Sequence, residues 1–175
     1  MTDEGELRTQ LEALHPASFG WALHCCGRDR AEAEDVLQTA YVKVLDGRAR
    51  YGGRAAFKTW LFAVIRRTAA DQRRRTWFRR LGLARYAEER SLEAEPVLQD
   101  GAPEEAETAR RFRGAFAKLP WRQREVLHLV FYQGLTIEAA GRVMGVSLGS
   151  ARTHYERGKQ RLRGELQPAE RAYET

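Results

Sequence analysis

Hydrophobic residues recur at helical spacing through most of the chain, and the most regular stretch runs from Leu135 to Arg163. Thr136 is a suitable N-cap for a short helix whose apolar side repeats every three or four residues. Gly145 can adopt the left-handed conformation that ends a helix, and Ser147 can cap a second, longer helix. The pattern therefore predicts two helices joined by a tight turn.

The second helix of this pair carries a polar face that is suited to DNA. Its apolar stripe is expected to face the domain core and contains Ala151, Tyr155, Gly158 and Leu162. The opposite face carries mostly long hydrogen-bonding side chains: Arg152, Thr153, Glu156, Arg157 and Gln160. Two helices joined by a short glycine-containing turn form a helix-turn-helix, whose second helix enters the DNA major groove. An amphipathic hairpin with a solvated arginine face is the alternative, but five basic residues against one acidic residue over positions 148–164 favour DNA binding.

Two helices are predicted in the first 45 residues, after an N-terminal segment whose structure is left open. Leucines at positions 7, 11 and 14 mark a helix or a loosely attached segment, and Pro16 fits the first turn of the next helix, which Gly27 ends. Asp29 followed by Glu32 resembles a capping box and opens a helix over residues 30–45. The buried positions predicted for this helix are Val36, Leu37, Ala40, Tyr41, Val44 and Leu45.

A loop and a fourth helix follow. Residues 46–54 include three glycines and one aromatic residue, Tyr51, which we expect to be exposed. A helix is predicted from Phe57 to about Arg75. The side of this helix that is expected to be buried contains Trp60, Leu61, Val64, Ile65 and Thr68.

The end of the fourth helix and the residues beyond it are strongly basic. Between positions 66 and 80, seven arginines accompany a single acid, Asp71, and two aromatic residues, Trp77 and Phe78. Basic side chains beside aromatic rings suit single-stranded or melted nucleic acid, because bases stack on the rings while the backbone follows the positive charge. A purely solubilising role of the arginines is the alternative.

The charge reverses over residues 88–107, where eight acidic residues accompany one basic residue. Few large apolar residues occur there, so the segment cannot bury enough surface to fold by itself and is predicted to be a flexible linker. It is either a solubilising spacer or a strand that occupies a positively charged channel. Helical periodicity then returns through Phe112 and Phe116 to Leu119.

A further helix is predicted between Pro120, which can open it, and Gly134, which can close it. Its apolar residues are expected to lie in the core on which the helix-turn-helix packs: Val126, Leu127, Val130 and Phe131.

The composition narrows the possible partners. The 175 residues suffice for one domain or two small ones, and the net charge of +6 suggests a polyanionic partner. The chain contains no run of about 18 apolar residues and does not open with a secretory leader. We therefore expect a cytoplasmic protein without direct membrane insertion.

The cysteines and histidines do not indicate a catalytic or metal site. Cys25 and Cys26 are adjacent, which would strain a disulfide between them, and two thiols alone cannot form a zinc site. We interpret them as small buried residues of a helix; a redox switch or a metal sensor is the alternative. The four histidines lie apart without ligand spacing. We expect no catalytic residue, no metal and no cofactor.

Four stretches, taken in their order and separation, resemble the bacterial extracytoplasmic-function (ECF) sigma factors, the small two-domain sigma subunits of RNA polymerase. They are AEDVLQTAYVKVL at 33–45, FKTWLFAVIRRTAADQRRR at 57–75, LPWRQREVLHLVFYQGLT at 119–136 and GVSLGSARTHYERGKQRLR at 145–163. The resemblance implies an all-α fold with two small helical domains. Sigma domain 2 would span residues 1–80, a flexible acidic linker residues 81–107, and sigma domain 4, with the helix-turn-helix, residues 108–167.

The same resemblance implies roles for three groups of residues. Those that would dock on the clamp of the largest polymerase subunit are Asp35, Gln38, Thr39 and Val42. Those that would recognise and help to melt the minus-ten promoter element are Tyr51, Arg66, Arg67, Asp71, Arg73, Arg74 and Arg75. Those that would read the minus-thirty-five element are Arg152, Thr153, Glu156 and Arg157. The outer surface of domain 4 would bind the flap of the second-largest subunit, and a cognate anti-sigma factor is a further expected partner.

The chain departs from the family pattern at several positions. Arg67 stands where the family often has an asparagine that helps to hold a flipped promoter base, and Thr39 replaces a common glutamate on the polymerase-facing helix. Ala139, Ala140 and Gly141 replace a frequent Glu-Ile-Ala, which removes half of a capping box. These departures imply promoter preferences that cannot be copied from other family members.

The function implied is that of an alternative sigma factor, which binds core RNA polymerase and directs promoter recognition, DNA melting and initiation without catalysis of its own. The main alternative is a stand-alone helix-turn-helix regulator that binds duplex DNA, with the N-terminal half as a sensor or dimerisation domain. The second basic and aromatic site in that half argues against this alternative, because a reader of duplex DNA does not need it. An enzyme acting on nucleic acid would need a carboxylate or metal constellation, which the sequence does not indicate.

Overall fold

A computed structural model of the chain describes residues 4–82 and 103–167, and every regular element within these ranges is helical. The first half contains α1 (Glu4–Ala13), α2 (His15–Cys25), α3 (Arg30–Leu45) and α4 (Phe57–Gly82). The second half contains α5 (Pro103–Ala117), α6 (Trp121–Leu127), a π-helix (His128–Tyr132), α7 (Ile137–Met144) and α8 (Leu148–Leu166). The predicted all-α class is confirmed. None of the described helices is long and apolar enough to cross a membrane.

The helices form two compact units, and α1 to α4 belong to the first. Within it, α2, α3 and α4 pack against one another around the fully buried side chains of Trp21 and Phe62. The two rings stack with centroids 5.9 Å apart, and the indole Nε1 of Trp21 donates a hydrogen bond of 3.0 Å to the carbonyl of Phe62. A buried indole N–H needs such an acceptor, so this bond fixes α2 against α4.

The helix starts of the first unit follow the local sequence. Pro16 lies in the first turn of α2, as predicted, where a missing N–H costs no helical hydrogen bond. Asp29 caps α3 by accepting a hydrogen bond of 2.9 Å from the Glu32 amide. The predicted bounds of α3 are confirmed, but Leu45 at its last position is exposed, so its predicted burial is wrong.

The fourth helix is longer than predicted and continues to Gly82. No glycine or proline interrupts it before that residue, and the arginines between positions 66 and 80 are good helix formers. The described helices α4 and α5 therefore overlap both ends of the predicted linker. Residues 83–102, which make up the rest of it, lie outside the described residues.

In the second unit, α8 packs against α5 and α6. It approaches α6 closely at Gly158, where an added Cβ would lie 3.0 Å from Cδ1 of Leu127 and 3.2 Å from Cβ of Gln123. The neighbouring core contains Leu119, Val126, Leu127, Leu129, Ala151 and Leu162, all of them buried. Glycine at position 158 thus permits the close crossing of these two helices.

A π-helix replaces the α-helical turn that was expected after Leu127. Its extra residue per turn shifts the helical register, so that Leu129 is buried whereas Phe131 and Tyr132 are 60% and 59% exposed. The predicted burial of Phe131 is therefore wrong. Its ring lies on the surface, where it stacks with Tyr155 at a centroid distance of 6.0 Å.

Candidate nucleic-acid interface

The helix α4 has one buried side and one basic side. Leu61, Phe62 and Ile65 are fully buried, and Ala69 is the last buried residue along the described part of the helix. The opposite side carries the exposed side chains of Arg67 and Arg74, and Arg66 is half-buried. Arg67 donates through Nε to the carbonyl of Ala63 at 3.2 Å, which orients its guanidinium along the helix surface.

A cavity of about 390 Å³ opens beside this basic side. Its walls come from the end of α3, from the loop that follows, and from residues 60–71 of α4. The lining residues are Lys43, Arg48, Ala49, Arg50, Trp60, Val64, Arg67, Thr68 and Asp71. Four cationic side chains and one carboxylate thus surround a surface that includes an aromatic ring. Arg67 and Asp71 are the two predicted minus-ten residues that line this cavity.

The loop is held in place by its own hydrogen bonds. The amide of Ala49 donates to the carbonyl of Lys43 at 2.7 Å, and Nε of Arg50 donates to the carbonyl of Gly47 at 3.3 Å. These bonds fold the loop back on the end of α3, which brings Arg48 and Arg50 to the cavity. Sequence patterns do not indicate these two lining residues, since their position depends on how the loop folds back.

Tyr51 supports the wall of the cavity. Its ring packs against Phe57 and Trp60 with both centroid distances at 5.3 Å, and its hydroxyl donates to the carbonyl of Ala55 at 2.6 Å. The expectation that Tyr51 is exposed is therefore wrong, because the ring is half-buried. Trp60 packs against the rings of Tyr51 and Phe57 but is only partly buried, because it also faces the cavity.

A short polar network connects α3 with the basic side of α4. Nζ of Lys43 donates to Oγ1 of the buried Thr68 at 3.1 Å and lies 3.9 Å from Oδ2 of Asp71. The other oxygen of Asp71 accepts from Nη2 of Arg74 at 3.4 Å. The single acid among the arginines is thus shared by two cations, and its repulsion of an approaching phosphate is reduced.

Arg73 differs from its neighbours because it serves the fold. Its Nη1 donates to the main-chain carbonyl of Cys25 at 2.6 Å, which ties the end of α2 to α4. Cys25 and Cys26 are buried, as predicted, and form no disulfide. Burial, followed by the nearby carboxylate of Glu32, raises the pKa of the Cys26 thiol to about 12. The thiolate is the reactive form of cysteine, so burial of Cys26 disfavours that form.

The predicted polymerase-binding residues share one face of α3. Asp35, Gln38, Thr39 and Val42 are spaced by three or four positions and are all exposed. Val42 is an apolar side chain with 45% of its surface accessible. An exposed apolar residue among polar ones on a helix is compatible with a protein contact.

The helix-turn-helix is present as predicted. The hydroxyl of Thr136 accepts from the amide of Ala139 at 3.1 Å, and that of Ser147 accepts from the amide of Ser150 at 3.1 Å. Gly145 lies in the turn with a φ of 67°, the left-handed conformation that glycine adopts without strain. An added Cβ on Gly141 would lie 3.2 Å from Cβ of Ala151, so α7 and α8 approach closely here.

The face of α8 that was predicted to read DNA is open. Arg152, Thr153, Glu156 and Arg157 are all exposed and lie on the side opposite to the buried Ala151, Gly158 and Leu162. The hydroxyl of Thr153 donates to the carbonyl of Gly149 at 3.0 Å, and Glu156 pairs with Lys159 at 3.5 Å. Arg152 and Arg157 can reach base edges or phosphates, because guanidinium groups match both in geometry.

Within residues 4–82 and 103–167, no three or more histidine, cysteine, aspartate or glutamate side chains are grouped so that they could hold a metal ion. Both surfaces contain hydrogen-bond donors for phosphate oxygens and for the acceptor atoms of bases. The surface of the first unit also contains aromatic rings. Such an arrangement is suited to binding nucleic acid.

Comparisons with known proteins agree with this geometry. The family models for Sigma-70 region 2 and Sigma-70 region 4 match residues 11–79 and 115–164. The chain is 30% identical over 143 residues to the RNA polymerase sigma factor CarQ of Myxococcus xanthus, a match that covers 80% of this chain and 79% of CarQ. It is 27% identical over 147 residues to the ECF RNA polymerase sigma factor SigX of Bacillus subtilis, with 80% of this chain and 73% of SigX covered.

One solved structure shows a similar fold. It is the sigma factor RpoE in complex with the anti-sigma factor NepR from Bartonella quintana. The match has a TM-score of 0.71 at 22% sequence identity and covers 91% of this chain and 95% of that one. At this identity the likeness concerns the fold alone.

Proposed function

This chain belongs to the ECF branch of the sigma-70 family, the alternative sigma factors that direct promoter-specific transcription initiation, and we propose from this membership a separate role for each of its two basic surfaces. The first unit engages the minus-ten element through the basic side of α4 and the cavity beside it. The second unit reads the minus-thirty-five element through α8. The limits proposed for the two domains are residues 1–80 and 108–167.

The observation that carries the proposal for the minus-ten element is the cavity on α4. It lies directly beside the exposed Arg67 and is lined by Trp60, so an unpaired base that enters it meets a ring and several donors. The volume of about 390 Å³ falls within the range of small-ligand pockets. We propose that an extruded promoter base occupies this cavity while Arg66 and Arg74 bind the adjoining backbone.

Such binding opens DNA by mass action. A surface that binds the unpaired strand but not the duplex shifts the equilibrium between duplex and melted DNA toward the melted state. Unpairing and unstacking one nucleotide costs a few kcal/mol, and stacking together with phosphate contacts can offset this amount. The chain then contributes binding free energy to initiation, whereas the polymerase carries out the chemistry. Members of this family are regulatory proteins, and we propose no catalytic residue.

The partners follow from the exposed surfaces. We propose that Asp35, Gln38, Thr39 and Val42 on α3 dock on the clamp of the largest polymerase subunit, and that the outer surface of the second unit binds the flap of the second-largest subunit. Because RpoE from Bartonella quintana is found with the anti-sigma factor NepR, we propose a cognate anti-sigma factor here also. The polymerase and the chromosome are in the bacterial cytoplasm, where we propose that the chain acts.

The experiment is a reconstitution of the full chain with bacterial core polymerase. We expect Arg67→Ala combined with Arg74→Ala to reduce promoter opening at least tenfold while co-elution with core polymerase is unchanged, since α3 is untouched. Arg73 is left intact because its loss would disturb the fold. The matched control, Arg8→Ala with Arg30→Ala, removes the same charge from exposed positions on α1 and α3.

Two outcomes would contradict the proposal. If the Arg67→Ala, Arg74→Ala variant opens promoters as well as the wild type, the proposed minus-ten surface is wrong. A wild-type chain that ignores core polymerase but shifts duplex DNA by itself would favour a stand-alone regulator.

A further inference from the structure

The last turns of α4 carry three large apolar side chains in open solvent. Trp77, Phe78 and Leu81 are 57%, 59% and 54% exposed. Single exposed apolar residues are common on protein surfaces, but a contiguous group indicates an interaction site. The buried stripe of the described helix ends at Ala69, eight positions before Trp77, so packing within the bundle does not explain this group.

The exposed group continues the basic side of α4. Positions 67, 74 and 81 are seven residues apart, which places Arg67, Arg74 and Leu81 on one face of the helix. Trp77 and Phe78 follow Arg74 by three and four residues, the spacing of neighbours on a helix surface. At 1.5 Å of rise per residue the Cα atoms of these two residues lie about 4.5 and 6 Å beyond that of Arg74 along the axis. Arginines and rings therefore form one strip.

The two rings are arranged so that each offers a face. Their centroids are 5.1 Å apart and their planes meet at 71°, which is an edge-to-face pair. A flat aromatic ligand can stack on either ring. The described side chains around the pair include the exposed Arg73, Arg74, Arg75 and Arg79, and no acid occurs between Asp71 and Gly82.

Charge decides which partner fits this strip. A group of rings surrounded by arginines and free of acids is complementary to a polyanion that also has flat apolar rings. Unpaired nucleotides have both properties. The strip is also continuous with the surface proposed for the minus-ten strand, so the same strand can reach it without a second binding event.

We propose that Trp77 and Phe78 form a stacking site for unpaired bases, which extends the single-strand surface of α4 by one to two turns beyond the cavity. This inference rests on the proposed function of α4. It adds a second place where the melted strand is held, distinct from the cavity lined by Trp60 and Arg67.

The test compares ring loss with ring retention in the full chain bound to core polymerase. Trp77→Leu with Phe78→Leu keeps apolar bulk but removes the π faces, whereas Trp77→Phe with Phe78→Tyr keeps the rings. On a forked promoter probe with an unpaired minus-ten strand, we expect the leucine pair to weaken binding about tenfold and the ring-retaining pair less than threefold. Arg8→Ala with Arg30→Ala, the control outside this strip, should bind like the wild type.

A second readout reports contact directly. The full chain is titrated with a single-stranded oligonucleotide while tryptophan fluorescence is followed. Quenching that is present in the wild type and strongly reduced in Trp77→Phe supports stacking on the Trp77 ring. Equal quenching in both proteins overturns it.

The outcomes separate this inference from the proposed function. If the leucine pair binds the forked probe like the wild type while Arg67→Ala with Arg74→Ala fails, the stacking site is wrong and the minus-ten surface stands. If neither pair of substitutions matters, both are wrong. If the leucine pair keeps binding to the probe but loses binding to vesicles of phosphatidylglycerol, the strip serves an anionic membrane and the stacking site is again wrong.

Discussion

Two glycines of α8 differ in what surrounds them, and this difference gives a test at the scale of single residues. At Gly158 an added Cβ would meet Leu127 and Gln123 within 3.3 Å, whereas at Gly164 nothing lies within 4 Å. Gly164→Ala is expected to stabilise the chain by up to about 1 kcal/mol through helix propensity. Gly158→Ala is expected to destabilise it by about 1 kcal/mol or more, because overpacking exceeds that gain.

Urea unfolding of the full chain measures both substitutions. The opposite signs are the informative result, because the two substitutions have the same chemistry and lie in the same helix. Equal stabilisation by both would mean that α6 and α8 do not cross as closely as the structure shows.

The contacts of single residues also explain which parts of the candidate site can be predicted from the sequence. The exposure of Arg67 and Arg74 on one side of α4 can be predicted from helical spacing, since the face of a helix follows from its period. Arg73 is the sequence neighbour of Arg74, but its hydrogen bond to Cys25 joins residues 48 positions apart and leaves no local signal. Arg48 lines the cavity because the loop folds back on the end of α3, which the sequence around Arg48 does not indicate.

At the scale of elements, the cap of α8 provides the next prediction. The hydroxyl of Ser147 accepts from the amide of Ser150, so Ser147→Ala should destabilise the chain by about 1 kcal/mol. Ser150→Ala keeps this amide bond and loses only the contact between the two hydroxyls at 3.0 Å, so its effect should be smaller. Urea unfolding of the full chain distinguishes them, and equal effects would argue against the capping role of Ser147.

Helix ends are predictable here where the signal is local. Caps such as Asp29, Thr136 and Ser147 act on an amide three positions away, so the sequence contains both partners. The π-helix is different, because its register depends on how α6 packs on α8. Neither that register nor the resulting exposure of Phe131 can be found from apolar spacing.

At the scale of the whole molecule, the two units should respond to different parts of a promoter. Arg152→Ala with Arg157→Ala is expected to reduce initiation at least tenfold on a promoter with its native minus-thirty-five element, since each base-reading contact contributes about 1 to 3 kcal/mol. On a promoter with that element scrambled, the same variant should act like the wild type. Arg67→Ala should reduce initiation on both.

In vitro transcription from the two templates, with core polymerase supplied, measures this separation. An equal loss on both templates by the α8 variant would mean that its arginines contact only phosphates. The two units would then differ in affinity but not in what they read.

Because α4 is one unbroken helix, an insertion within it would affect more of the protein than a substitution would. Its buried stripe and its basic and aromatic strip belong to one helix of 26 residues, about 39 Å long, and therefore share one helical phase. One residue inserted after Ala69 would turn Arg74, Trp77 and Phe78 by about 100° relative to Arg67. Seven inserted residues would nearly restore the phase. Most insertions or deletions in this helix would disturb that phase, whereas substitutions would not. We therefore expect new promoter preferences to arise by substitution, while the length of the helix stays nearly constant.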